Sequence, residues 1–457
     1  MQISKPIIIS ALLLCAGLQA LAQKPLAIIR GTVDKARASK VQLYQVVEGQ
    51  MTEYASTSLD AGKNYAFALP EVTEGFYYVT DNAPGRTLPG RLYLKSGDAV
   101  TCNIRANGTE LSGTSPENRV LAQWQQMYDH IAVPAFMFWS DRTEYPAFFT
   151  NLTAFVPKAA AFKKQVNTPN KRFNELFKMV IDSDVEYAAI QFIYTPRSTH
   201  PTKDQYPAYY KTILQPKQFC DTRILRLGDG LDRMDRYVLY GTMNSGTEIA
   251  REQRLAYSLN LFCNDTLKGV YLVHGLERYQ SLEKLREDVA PFKKYLLTDS
   301  SKAKYLRRES ALASYAKGEK AYNFAYPDVN GDTVSLASLK GKVVLVDTWA
   351  TWCMPCRAEI PHLQKLEEEL RSKAIAFVSL SCDEAKDEAK WKAFVETEKL
   401  TGIQLYAKGF SEFTKYYKIN AIPRFLIFDK EGKIVTVDAP RPSDPALKTL
   451  LLQLAEG

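Results

Sequence analysis

Cysteine and histidine are both scarce in this chain of 457 residues, which holds seven cysteines and four histidines. So few cysteines exclude a small fold held together by many disulfides. Cys353 and Cys356 form the only pair that is close in sequence, and no second C-x-x-C motif or histidine pair at zinc-ligand spacing accompanies them. His362 stands alone on the same predicted helix. The sequence therefore predicts no metal site.

Long apolar runs are missing after the N-terminus. Residues 1–22 have the pattern of a signal peptide, in which Lys5 precedes an apolar run over residues 7–18 and small residues stand at the cleavage positions 20 and 22. The run is too short to span a bilayer comfortably. We therefore expect export to the periplasm or cell envelope, where disulfides can persist. An uncleaved membrane anchor is the alternative.

Concentrated charge is also missing. The net charge is +8, but no stretch gathers lysine and arginine into a stripe, which argues against nucleic acid as a partner. No dinucleotide-binding fingerprint occurs, and we expect no cofactor. Hydrophobic residues make up 46% and charged residues 24%, the profile of a folded globular protein. The length predicts two or three domains.

Three patterns succeed one another after the signal peptide. Residues 24–112 alternate apolar and polar side chains in short runs separated by turn signals, which predicts a β-sandwich. Ser115 and Pro116 begin a mainly helical region over residues 113–315, which is rich in core-forming Tyr and Phe. Residues 316–457 alternate strands and helices. The predicted fold class is multidomain, with an N-terminal β-sandwich, a central mainly helical region and a C-terminal α/β domain.

The predicted elements of the last region alternate in type. The predicted strands are 343–346, 376–380, 424–428 and 433–437, and the predicted helices are 357–373, 388–399 and 446–454.

The C-x-x-C motif lies between a predicted strand and a predicted helix. Free backbone N–H groups and the positive end of the helix dipole stabilise a thiolate at this position. We predict that Cys353 is the exposed attacking thiol, and that Cys356, one turn further on, is the buried resolving thiol. A structural disulfide or half of a zinc site is the alternative, and the strand–helix context disfavours it.

The segment from Asp347 to Cys356, with the sequence DTWATWCMPC, resembles the active-site segment of thioredoxins, and Ile422-Pro423 resembles their cis-proline site. Within that superfamily the chain most resembles the exported TlpA/ResA group. The segments that carry this resemblance are 330–331, 336–341, 357–361 and 383–410. Residues 24–112 loosely resemble a β-rich domain of unknown function that precedes thioredoxin domains. The resemblance implies a thioredoxin-like C-terminal fold and protein thiol–disulfide oxidoreductase activity.

The resemblance also implies roles for two acids. Asp347 would be a buried acid that relays a proton when Cys356 attacks the mixed disulfide. Glu359 would line the site and help to control thiol protonation. The alternative for Glu359 is a solvated first-turn acid that favours the helix dipole.

Substrate contacts are implied in the same way. Pro423 would be cis and lie beside Cys353, which leaves the backbone of Ile422 free to pair with a substrate strand. Trp352 would pack around the cysteines together with Trp349 and contact the substrate.

Three functional hypotheses remain open on the sequence. The first is a disulfide reductase or exchange enzyme that acts on exported proteins, such as apocytochrome c or misoxidised proteins, and takes electrons from a membrane donor. The second is an oxidase or isomerase, because the direction depends on the reduction potential. The third is a binding protein whose first 315 residues recruit clients to a tethered thioredoxin domain. The sequence indicates no oligomeric state.

Overall fold

The computed structural model describes residues 25–34, 39–81, 88–105, 108–113, 115–197, 199–214 and 219–456. The predicted signal peptide, residues 1–22, lies outside these ranges. Two compact units divide the chain, Met1–Asn244 and Ser245–Gly457, and each is described by itself. The second unit begins inside the region 113–315, so the predicted domain boundaries stay predictions. Across the described ranges, no helix has both the length and the apolar character needed to cross a bilayer.

Strands with period-two burial open the first unit. In Asn64–Leu69, for example, Tyr65, Phe67 and Leu69 are buried and the residues between them are exposed. The described strands are β1 Ala27–Thr32, β2 Lys40–Val47, β3 Gln50–Ser58, β4 Asn64–Leu69, β5 Gly75–Thr80, β6 Gly90–Leu94, β7 Ala99–Arg105 and β8 Gly108–Gly113. They form two four-stranded sheets, in the orders β4-β1-β7-β8 and β3-β2-β5-β6. Residues from both sheets contribute to one apolar core.

Helices follow the sheets in the first unit. They are α1 Pro116–Phe136, α2 Tyr145–Gln165, α3 Lys171–Ile193, α4 Ala208–Leu214 and α5 Gly230–Met243, with 3₁₀ turns at Lys203–Gln205 and Thr222–Arg226. The predicted start of α1 is confirmed, because the Ser115 side chain accepts a hydrogen bond from the backbone N–H of Asn118. An apolar stripe of Phe173, Phe177 and Ile181 is buried on α3.

A buried ionic cluster centres on Asp184 of α3. Its carboxylate is fully buried and accepts hydrogen bonds from Arg91 at 2.9 and 3.0 Å, from Arg233 at 2.7 Å and from the Trp124 indole at 2.7 Å. Burial opposes ionisation of Asp184, but the two arginines outweigh it and lower the pKa of the carboxyl. Asp184 therefore supplies a counter-charge to both buried guanidinium groups, of which Arg233 also pairs with Asp229 at 2.8 Å.

The second unit begins with helices and continues with an α/β arrangement. The helices before the sheet are α6 Arg254–Asn260, α7 Asp265–His274, α8 Leu282–Val289 and α9 Asp299–Ala313, with 3₁₀ turns at Arg251–Gln253, Gly275–Arg278 and Ala290–Tyr295. The elements that follow are β9 Ala325–Pro327, β10 Thr333–Ser335, a 3₁₀ turn at Leu336–Leu339, β11 Val343–Trp349, α10 Met354–Glu369, β12 Ile375–Ser381, a 3₁₀ turn at Ala385–Asp387, α11 Glu388–Thr397, β13 Ile403–Tyr406, α12 Glu412–Tyr416, β14 Arg424–Phe428, β15 Ile434–Thr436 and α13 Pro445–Glu456.

A five-stranded sheet in the order β13-β12-β11-β14-β15 organises this arrangement. The central strand β11 pairs parallel to β12 and antiparallel to β14, and all seven of its residues are buried. Val344 and Val346 join the core on one face of the sheet, whereas Val343 and Leu345 join the core that α10 and α13 cover. The period of two places Asp347 on this second face.

The predicted strands and helices of this region are confirmed within a few residues at each end, but β9, β10, β13 and α12 were not predicted. Strand β13 has only four residues and forms the edge of the sheet inside the segment 383–410. So short an element leaves too little periodicity to recognise.

We expect Asp184→Asn to lower the free energy of unfolding by about 3–5 kcal/mol, because the Arg91 guanidinium loses its buried counter-charge and Arg233 keeps only its ion pair with Asp229. Asp182→Asn is the matched control on the same helix, since Asp182 is exposed and pairs with Lys163 at the surface. The control should change stability by less than about 1 kcal/mol. Urea denaturation of the full chain measures both, and equal losses would contradict a central role for Asp184.

Candidate active site

The C-x-x-C motif lies where β11 ends and α10 begins. Cys353 is the N-cap of α10, and its sulfur accepts a hydrogen bond from the backbone N–H of Cys356 at 3.2 Å. The turn before it closes through a hydrogen bond from the Cys353 N–H to the Ala350 carbonyl at 3.0 Å. The two cysteines are joined by a disulfide, with 5.3 Å between their Cα atoms. The end of a helix thus supplies donors to the sulfur of the first cysteine, as predicted.

The prediction that Cys353 is exposed is wrong. Cys353 and Cys356 are only 4% and 3% exposed, and both belong to an apolar cluster with Trp349, Trp391 and Tyr406. The Ile422 carbonyl oxygen lies 3.8 Å from the Cys353 sulfur. This carbonyl and the apolar cluster together shield Cys353 from solvent.

The two tryptophans near the motif differ in burial. Trp349 is buried in the cluster with both cysteines, as predicted. Trp352 is 55% exposed, and Met354, on the other side of Cys353, is 77% exposed. The prediction that Trp352 packs around the cysteines is therefore wrong, because its side chain extends into solvent. Trp352 and Met354 form an exposed apolar rim beside a buried disulfide.

The Ile422–Pro423 peptide bond is cis. Ile422 packs against the cluster around the cysteines, and its carbonyl lies beside the Cys353 sulfur. Residues 422 and 423 come just before β14, whose pairing with β11 brings them to the same end of the sheet as the motif. The sheet therefore brings this peptide and the C-x-x-C motif together from positions about 70 residues apart.

Asp347 is buried on the face of β11 that α10 covers. Burial raises the pKa of Asp347 to about 8, and the neighbouring charges of Glu359 and Glu367 act in the same direction. Its Oδ1 atom has no hydrogen-bond partner among the described residues. A carboxyl with this pKa holds a proton at neutral pH and can release it within the physiological range.

Glu359 is buried on α10, one turn beyond Cys356. Its two carboxylate oxygens accept hydrogen bonds from the backbone N–H of Ser443 at 2.9 Å and from the Ser443 hydroxyl at 3.0 Å. The guanidinium of Arg441 lies 3.9 Å from the same carboxylate. The alternative of a solvated first-turn acid is contradicted, because the loop before α13 covers the side chain.

Sequence reasoning missed the residue that fixes the turn before Cys353. The fully buried carboxylate of Asp383 accepts hydrogen bonds from the Thr351 N–H at 2.9 Å, the Thr351 hydroxyl at 2.7 Å and the Ser381 hydroxyl at 2.8 Å. Asp383 follows β12, the parallel neighbour of β11. The sequence did contain a signal, since Asp383 is an acid just after a predicted strand. The carboxyl ends of parallel strands meet at one edge of the sheet, so such an acid is expected near the end of β11.

Cys382 also lies near the site. It is a buried free thiol, and burial, followed by the charges of Asp347 and Asp383, raises its pKa to about 12. The thiol therefore stays protonated and is not expected to react.

The arrangement combines a pair of cysteines that can open and close a disulfide with an acid that can exchange a proton. The neighbouring cis-proline peptide adds a backbone carbonyl beside the first sulfur. No group of three or more His, Cys, Asp or Glu side chains in the described ranges is placed to hold a metal ion. These features suit thiol–disulfide exchange.

Known proteins with similar sequences share this region. Residues 316–451 match the Redoxin family. A thiol-disulfide oxidoreductase ResA of Bacillus cereus is 33% identical over 118 residues, which make up 26% of this chain and 66% of that protein. The chain thus spans just under two thirds of the length of that relative. The thioredoxin-like protein YneN of Bacillus subtilis is 37% identical over 120 residues, 26% of this chain and 68% of that protein.

Solved structures are also similar to part of the chain. A crystal structure of the thioredoxin domain of a thiol-disulfide oxidoreductase from Bacteroides vulgatus is 30% identical, covers 31% of this chain and 98% of that chain, and has a TM-score of 0.28. A solution structure of a thiol:disulfide interchange protein from Bacteroides sp. is 29% identical, covers 32% of this chain and 93% of that chain, and has a TM-score of 0.28.

The predicted thioredoxin-like character of the C-terminal region is confirmed by the family match and by the identity to YneN over more than two thirds of that protein. The chain belongs to the thioredoxin-like proteins, with a Redoxin domain over residues 316–451, and one of its relatives is named a thiol-disulfide oxidoreductase.

Proposed function

We propose that this chain is an exported thiol–disulfide oxidoreductase that reduces or exchanges disulfides in extracytoplasmic proteins through the Cys353–Cys356 dithiol. One observation carries the proposal: the pair lies at the N-terminus of α10, where the Cys356 N–H donates to the Cys353 sulfur. A helix N-terminus favours the thiolate, which is the form of cysteine that attacks disulfides.

The reductive reaction has two exchange steps. The Cys353 thiolate attacks one sulfur of the client disulfide, so that the client S–S bond breaks, a mixed disulfide forms and the first client thiolate leaves. Asp347 must first release its own proton to solvent, and its carboxylate then takes the proton of Cys356, which attacks the Cys353 sulfur. The mixed disulfide breaks, the second client thiolate leaves, and the Cys353–Cys356 disulfide forms. The client gains two electrons, and a thiol donor must reduce the enzyme again.

The side chains around the pair have supporting roles in this proposal. Asp347 accepts the proton of Cys356, and Glu359 adjusts how readily Asp347 does so. The Ile422–Pro423 peptide and the exposed Trp352 form the docking site for an extended client segment. A backbone carbonyl at Ile422 gives such a segment a hydrogen-bond acceptor that does not depend on its sequence.

The cellular setting is part of the proposal. The pattern of residues 1–22 supports export to the periplasm or cell envelope, and the absence of a dinucleotide fingerprint supports a membrane thiol donor as the source of electrons. Clients would be exported proteins with disulfides to be reduced, such as apocytochrome c or misoxidised proteins. We also propose that the two N-terminal sheets form a β-sandwich, since one core draws on strands of both.

We expect Cys356→Ala to accumulate a mixed disulfide with a protein substrate, because the first exchange proceeds and the second cannot. Cys353→Ala should form no adduct at this site. Reduced full-length variants are mixed with insulin, quenched with acid and resolved by mass. Cys382→Ala is the matched control and should turn over like the wild type. A stable adduct in Cys353→Ala and not in Cys356→Ala would reverse the assigned roles.

We expect the reduction potential of the Cys353–Cys356 pair to lie near the value of thioredoxin, roughly −270 mV, which suits a reductase. Equilibration of the full chain in dithiothreitol buffers measures it, with Cys356→Ala as the control for signals that do not come from this pair. A potential near roughly −120 mV would instead make the protein an oxidase.

We expect the pH dependence of stability to report on Asp347. The folded state holds this proton up to about pH 8, whereas an unfolded aspartate releases it near pH 4. Between these values the folded state binds more protons than the unfolded state, so Asp347 lowers stability as the pH rises. Asp347→Asn removes this loss, and its unfolding free energy relative to wild type should rise by roughly 3–5 kcal/mol from pH 5 to pH 9.

Denaturant unfolding at the two pH values tests this, and Asp332→Asn on an exposed loop should give the same difference from wild type at both. In insulin reduction, Asp347→Asn should lower the rate of the second exchange by about 10²-fold, because general base catalysis is lost. A difference in stability that does not change with pH would show that Asp347 is ionised in the folded state at both values.

A further inference from the structure

The loop between β15 and α13 contacts the reactive end of α10 through Ser443. The backbone N–H of Ser443 donates to Glu359 Oε2 and its hydroxyl donates to Oε1, so that one residue binds both carboxylate oxygens. The Arg441 guanidinium lies 3.9 Å from Oε1. Two donors and a nearby cation thus surround this carboxyl group. The side chain is buried, so these contacts hold the carboxyl group in one place.

Asp347 has no comparable partner. Its Oδ1 atom is buried without a hydrogen bond. On the neighbouring strands, Ser379 of β12 and Phe425 of β14 are its register partners, and neither carries a charge. The titratable groups whose charges are coupled to Asp347 are Glu359 and Glu367 on α10, and Cys382 after β12.

Cys382 remains a neutral thiol, because burial raises its pKa to about 12. Glu367 is partly buried, which raises its own pKa, and the Thr401 hydroxyl donates to its carboxylate. Of the two glutamates, Glu359 lies one turn from Cys356 and Glu367 lies two turns further on. Glu359 is thus the charged neighbour closest along the helix to the proposed proton transfer.

We infer that Ser443 is a positioning residue for the proposed disulfide chemistry: it holds the Glu359 side chain in one place on the helix that covers Asp347 and thereby controls the transfer of the proton from Cys356. The catalytic part of this inference rests on the proposed function. The electrostatic part, that Ser443 acts on Asp347 through Glu359, does not.

Loss of the Ser443 hydroxyl should change the pKa of Asp347 in one direction only. Removing the Ser443 hydroxyl takes away one of the two donors that hold the Glu359 side chain, so that the carboxyl group can turn away from its present position. A Glu359 side chain that turns away repels the Asp347 carboxylate less, and Asp347 then ionises at a lower pH. Glu359→Gln removes the charge altogether and should act in the same direction with a larger effect.

The test follows the infrared carbonyl band of protonated Asp347 in the oxidised full-length protein as the pH is raised, and Asp347→Asn identifies the band by removing it. Ser443→Ala should shift the midpoint to lower pH by about half a unit to one unit, and Glu359→Gln by more. Ser443→Thr keeps both donors and should restore the wild-type midpoint. Thr449→Ala is the matched control, since this hydroxyl on α13 bonds to the Pro445 carbonyl and not to Glu359.

An unchanged midpoint in Ser443→Ala, alongside a lowered midpoint in Glu359→Gln, would overturn the role of Ser443. An unchanged midpoint in Glu359→Gln would overturn the coupling itself. The same variants are then compared in the pH profile of the second exchange with insulin, where the midpoints should move in parallel. If the infrared midpoints move as expected and the wild-type chain does not reduce insulin, the proposed function fails and the electrostatic inference stands.

Discussion

The hydrogen bond from the Cys356 N–H to the Cys353 sulfur depends on where a buried strand stops. Strand β11 is central in its sheet and buried on both faces, so its end cannot slide without exposing apolar side chains. Asp383, from the neighbouring strand end, then holds Thr351 by both its N–H and its hydroxyl. The sulfur of Cys353 is therefore positioned by the sheet and not by a free loop.

Two cysteines near this edge show that burial alone does not create a reactive thiol. Cys353 and Cys382 are both buried, and they lie at the ends of adjacent parallel strands. Cys353 receives a backbone N–H at the start of a helix, a partner that stabilises a thiolate. Cys382 has the charges of Asp347 and Asp383 near it, which add to burial in keeping its thiol protonated. The difference between them lies in the donors and charges nearby.

The sequence was sufficient for those parts of the site that depend on local spacing or on a family motif. The C-x-x-C pair, the strand and helix on either side of it and the peptide at Ile422–Pro423 were all predicted from residues adjacent in sequence. The contacts of Asp383 with Thr351 and of Ser443 with Glu359 join residues 32 and 84 positions apart, and no periodic pattern encodes them. The burial of Cys353 and the exposure of Trp352 depend on the same long-range packing.

Long-range packing also limited the prediction of the fold. The central strands and long helices were predicted because apolar periodicity persists over enough residues. Edge strand β13 and the short helix α12 are stabilised by tertiary contacts, as Leu405 and Phe413 in the core on one face of the sheet illustrate. Their segments therefore lacked a pattern of their own.

Two buried aspartates in separate units show how the surroundings decide what an acid can do. Asp184 is fully buried, yet two guanidinium groups bind it and lower its pKa, so it stays charged and structural across the physiological range. Asp347 is buried beside two other acids and has an unpartnered oxygen, which raises its pKa to about 8. Folding keeps Asp184 ionised and makes the ionisation of Asp347 costly. An acid that is costly to ionise near neutral pH is suited to proton transfer. Asp347 lies on β11 just before the turn that leads to Cys353, and the proposed reaction needs a proton transfer at this place.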